Sequence, residues 1–60
     1  MYVIQNKVDG SVNTFVKVRE AVLYLKNLKN DNSCATKEEV RELCNIFAQH
    51  NNKIAIDAIP

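Results

Sequence analysis

Apolar residues recur with two periods along this chain, every second position near the start and every third or fourth further on. Tyr2, Ile4 and Val8 alternate with Gln5 and Lys7, and Val12, Thr14, Val16 and Val18 alternate with Asn13 and Lys17. This pattern predicts a hairpin of two half-buried strands over about 2–18. Asp9-Gly10 lies between them, and such a pair between β-branched runs is a hairpin signal, because type I′ turns need positive φ. A two-residue loop would pair Val8 with Ser11 and Tyr2 with Lys17, which mixes the faces. A three-residue loop, 9–11, pairs Val8 with Val12, Ile4 with Val16 and Tyr2 with Val18. A one-residue slip exchanges the two faces, so the second register is the expected one.

Beyond Lys17 the period lengthens. Val18, Ala21, Val22, Leu25 and Leu28 form one helical stripe, which predicts a helix over about 18–29. The Asn-rich stretch 27–32 ends it, since Asn and Asp compete for backbone hydrogen bonds and tolerate turn conformations. A second helix is expected over about 37–50. Thr36 can cap the amide of Glu39 and Glu39 can return the bond, while Glu38 and Glu39 complement the positive helix start. Its stripe is Val40, Leu43, Cys44 and Phe47. Ile54, Ile56 and Ala58 then alternate with Ala55 and Asp57, a strand over about 53–59. The order ββααβ predicts one α+β domain over 1–60, a three-stranded, mainly antiparallel sheet with two helices on one face. Its last strand can lie beside either hairpin strand or reach another subunit.

Composition narrows the function classes. Sixty residues with 47% apolar and 25% charged positions make a compact soluble fold, not a disordered or collagenous chain. A chain of this size has little material for an enclosed cleft, so an enzyme is not expected. Residues 1–8 lack a basic start followed by a long apolar core, and no run approaches the ~20 apolar residues of a membrane helix. A cytoplasmic protein with no membrane association is expected, and Cys34 and Cys44 then read as free thiols. The net charge of +1 divides unevenly. Residues 1–30 hold five basic and two acidic side chains, residues 31–60 three and five, so a basic half precedes an acidic one.

No cofactor or metal is expected. Structural zinc needs four ligands, commonly in close pairs, and Cys34, Cys44 and His50 supply neither the number nor the spacing. Cys44 and His50 are six positions apart on the second helix, so their side chains diverge. Cys44 reads as a small core residue and His50 as a cation favoured at the negative helix end. Ser11 and Ser33 read as turn residues, and one glycine cannot make a phosphate-binding loop. A redox role for Cys34 and Cys44 would show as a stability change with reductant.

Two binding classes remain. Leu23, Tyr24 and Ile46 fall outside or at the margin of the helical stripes, and the expected register puts Val3 and Phe15 on the open sheet face. Apolar residues beyond the core suggest a protein-binding patch or a homodimer interface. The leading expectation is therefore a small non-catalytic module, a regulator, inhibitor or adaptor that docks onto a protein partner. Such chains are typical of bacteria, phages and mobile elements. The alternative is a nucleic-acid binder whose open sheet face carries Lys7, Phe15 and Lys17, one aromatic between basic residues.

Overall fold

The computed structural model describes residues 1–57. Strand β1 spans Tyr2–Asn6, β2 Val12–Phe15, helix α1 Val18–Leu28, α2 Lys37–Gln49, and strand β3 Lys53–Ile56. The α+β class and the ββααβ order agree with the sequence pattern. The last strand was expected to reach Ile59, and positions 58 and 59 lie outside the described residues. Regular pairing of β2 ends at Phe15, before the expected boundary at 18, because the chain bends at Val16 and Lys17 to start α1.

The sheet is mixed rather than mainly antiparallel, with strand order β2-β1-β3. β1 pairs antiparallel with β2 and parallel with β3. The last strand therefore runs opposite to β2 and alongside β1.

The hairpin register also differs from the expected one. Tyr2 pairs with Phe15, Ile4 with Asn13 and Gln5 with Val12. Asn6 decides this. Its side chain is buried, and its Oδ1 accepts a hydrogen bond from the Val8 amide at 2.9 Å, folding the chain out of the strand one turn early. The Asn6 amide donates to the Ser11 carbonyl, and the Gly10 amide donates to the Asn6 carbonyl, both at 2.9 Å, so the loop has four residues, 7–10. Gly10 takes the left-handed φ of 76° that such a loop requires in its last position. Asp9 accepts from the Ser11 amide at 2.8 Å, and bonds from the Ser11 side chain and amide hold its carboxyl below the usual range.

Ile4 and Phe47 are fully buried and form the core with Val18, Ala21, Val22 and Leu43. Each large side chain contributes about 1.5 to 3 kcal/mol by leaving water. The Tyr2 ring stacks obliquely on Phe47, 4.8 Å between centroids, which ties β1 to α2. The predicted capping box is present: Thr36 Oγ1 accepts from the Glu39 amide at 3.1 Å and Glu39 Oε1 from the Thr36 amide at 2.9 Å. Asn30, Asn51 and Asn52 adopt left-handed φ of 59°, 53° and 63°, ending α1 and turning α2 into β3. His50 is the C-cap residue of α2.

Lys26 organises the connection between the helices. Only 9% exposed, it donates from Nζ to Ser33 Oγ at 2.8 Å and to the Cys34 carbonyl at 2.9 Å, and pairs with Glu39 at 2.7 Å. One ammonium thus joins the end of α1, the 29–36 connection and the start of α2. The Lys26 ammonium, followed by the Thr36 amide bond, holds the Glu39 carboxyl below its usual range. Asp31 is lowered first by its bonds from the Ser33 amide and hydroxyl, with Lys26 4.0 Å away contributing least.

Candidate docking surface

Among the described residues, one face of the sheet carries the helices and the other is open. Alternation sends Tyr2, Ile4 and Asn6 of β1 toward the helices, with Asn13 and Phe15 of β2 and Ile54 and Ile56 of β3 beside them. The opposite face therefore presents Val3, Gln5, Val12, Thr14, Lys53 and Ala55. Val12 is 58% exposed, and Val16, next in the alternation, is 67% exposed. Val3 is half-buried between its neighbours Thr14 and Lys53. The result is a flat strip of valines bordered by Gln5 and Thr14, with Lys53 as the one charged side chain within the paired strands.

This placement corrects the sequence-based assignment of faces. Phe15 and Asn13 lie under α1, not on the open face: the Phe15 and Tyr24 rings are 5.4 Å apart, and the Tyr24 hydroxyl accepts from Asn13 Nδ2 at 3.2 Å. Tyr24 is accordingly half-buried against the core. The set Lys7, Phe15 and Lys17 is not assembled as a stacking platform. Lys7 follows β1 in the loop, Lys17 is the N-cap residue of α1, and Phe15 between them is turned inward. Of the residues expected to bind a partner, Val3 alone is on the open sheet face. Leu23 and Ile46 sit on the helices at 36% and 37% exposure, Ile46 lining a shallow groove with Val22, Leu25 and Leu43. The expected register puts Val12 and Val16 on the helix-covered face, and the observed one brings them outside.

Cys34 and Cys44 are both free thiols and both exposed, so Cys44 is not the core residue its stripe position suggested. It borders a groove with Val18, Arg19 and Val40. Among the described residues no three His, Cys, Asp or Glu side chains gather into a metal-binding group, and no helix is long and apolar enough to cross a membrane. No family model, curated protein or solved structure matches this chain.

Proposed function

We propose that this chain is a small, non-catalytic cytoplasmic module that acts as a regulator, inhibitor or adaptor by docking the open face of its sheet onto a protein. The observation that carries this reading is the valine strip of Val3, Val12 and Val16 on a face that no helix covers. Completing the burial of each exposed valine adds on the order of 1 kcal/mol, so a few such contacts support reversible association. The chemistry of the strip favours a protein over a polyanion: Gln5, Thr14 and Lys53 around it offer one positive charge, too little to neutralise a phosphate backbone.

The test compares capture from the source cell by the wild-type chain and by a Val12→Glu/Val16→Glu variant. A protein held by the first and lost by the second, with matching circular dichroism and melting, supports the reading. Identical capture by both overturns it.

A further inference from the structure

We infer that β2 pairs antiparallel with β2 of a second copy, about a two-fold axis at Thr14. This goes beyond the docking reading, since it names an occupant for an edge of the sheet instead of its face. The Asn6 amide donates to the Ser11 carbonyl, which makes those two a hydrogen-bonded pair. Alternation along an antiparallel ladder makes Ile4 with Asn13, and Tyr2 with Phe15, pairs of the same kind. The backbone groups of Ser11, Asn13 and Phe15 are therefore spent on β1. Those of Val12 and Thr14 point out from the free edge, followed by Val16 where the chain bends.

The opposite edge is built differently. The Val3 amide donates to the Asn52 carbonyl and the Lys7 amide to the Ile56 carbonyl, both at 2.8 Å. Asn52, Ile54 and Ile56 thus face β1, and Lys53, Ala55 and Asp57 face outward. A lysine and an aspartate flank that edge, the usual protection against further pairing, whereas Val12, Thr14 and Val16 carry no charge at all.

The bare edge is also self-complementary. Its three outward positions are spaced by two and centred on Thr14. A two-fold axis there sets Thr14 opposite Thr14 of the second copy and Val12 opposite Val16. Paired β-branched side chains and threonines stabilise cross-strand contacts, and about four to six backbone hydrogen bonds form at once. The resulting six-stranded sheet has the charged β3 at both ends, so assembly closes at two copies. The valine strips of the two copies become one. The shared strand is short and buries less than the ~1,600 Å² of a standard interface, so the dimer dissociates on dilution.

Sedimentation over about a hundredfold range of concentration tests this, with the mass expected to rise from 6.8 kDa toward twice that value. Thr14→Pro removes an amide that points away from β1, so it should leave the hairpin folded and the chain monomeric. Thr14→Lys, which guards the edge without altering the backbone, should act alike. In a Cys34→Ser/Cys44→Ser background, Thr14→Cys should oxidise to a covalent dimer, because directly opposed hydrogen-bonded residues place their Cα atoms about 5.5 Å apart. Ala55→Cys, on the guarded edge, should not. A wild-type chain monomeric throughout the range overturns the pairing, as does a dimer unaffected by both Thr14→Pro and Thr14→Lys. If the chain is monomeric but Val12→Glu/Val16→Glu still loses a captured protein, the pairing alone falls. If it dimerises through Thr14 and capture is unchanged, the docking reading alone falls.

Discussion

Replacing Lys26 by Met keeps most of the side-chain volume and removes the ammonium that joins the two helices. The bonds to Ser33 Oγ at 2.8 Å and the Cys34 carbonyl at 2.9 Å are both lost. At about 1 to 1.5 kcal/mol for each, Lys26→Met should destabilise the fold by about 2 to 3 kcal/mol. The contact with Glu39 adds little to this figure, since the freed carboxylate is open to water. Domains of this length have a total stability of about 3 to 9 kcal/mol, so the loss is a large share. Urea unfolding followed by circular dichroism measures it: the midpoint should fall with the slope unchanged. Ser33→Ala should cost less, and the double variant less than the sum, because both changes remove the same bond. Lys26→Met equal to or more stable than wild type would refute the reasoning. It would mean that burying the ammonium costs as much as its hydrogen bonds supply.

Thr36→Ala removes the cap of α2 and should lower stability by about 1 kcal/mol, read from thermal unfolding, whereas Thr36→Ser should retain most of it. Asp9, Asp31 and Glu39 all have carboxyls held below their usual range. Their contribution is fully present above the unfolded-state range and lost as pH falls through the folded values. Stability should therefore decline on acidification, less steeply in Glu39→Gln, and a flat profile between about pH 6 and pH 3 would contradict this. Asn52→Ala should cost about 1 kcal/mol by denaturant titration, because at φ of 63° alanine keeps the crowded Cβ but lacks the short polar side chain that lets Asn occupy this region, while Asn52→Gly should be tolerated.

The helices were legible because their signals are local. The stripe from Val18 to Leu25 and the Thr36–Glu39 box each lie within a turn or two of chain, and the observed boundaries differ from the expected ones by one residue. The face of β2 was not legible from alternation, because both of its faces carry apolar side chains: Val12 and Val16 on one, Phe15 on the other. What breaks the tie is the buried Asn6, whose amide side chain ends β1 early, and nothing in the pattern marks that Asn as different from the other seven. The direction of β3 was not legible either, because its parallel pairing with β1 closes across both helices and leaves no local signal. Lys26 was not recoverable, since its role depends on a connection that folds around it. The abundance of Asn, which composition alone leaves unexplained, has a partial structural reason in Asn30, Asn51 and Asn52, which do the work of glycine at helix ends.

β1 is the central strand and the earliest made, and its two neighbours come from opposite ends of the described chain. Its hairpin partner lies within a dozen residues, but Ile4 meets Ile54 only after fifty more have been added. On the ribosome the hairpin and the two helices can form while one side of β1 still has no strand beside it. Until Lys53 to Ile56 emerge, the backbone amides of Val3, Gln5 and Lys7 have no sheet partner and Ile4 has lost one wall. Closing a parallel pair over so long a span is slow compared with forming a hairpin or helix. Until that pairing closes, a chaperone or a neighbouring chain would find the bare side of β1, not the surface of the finished fold.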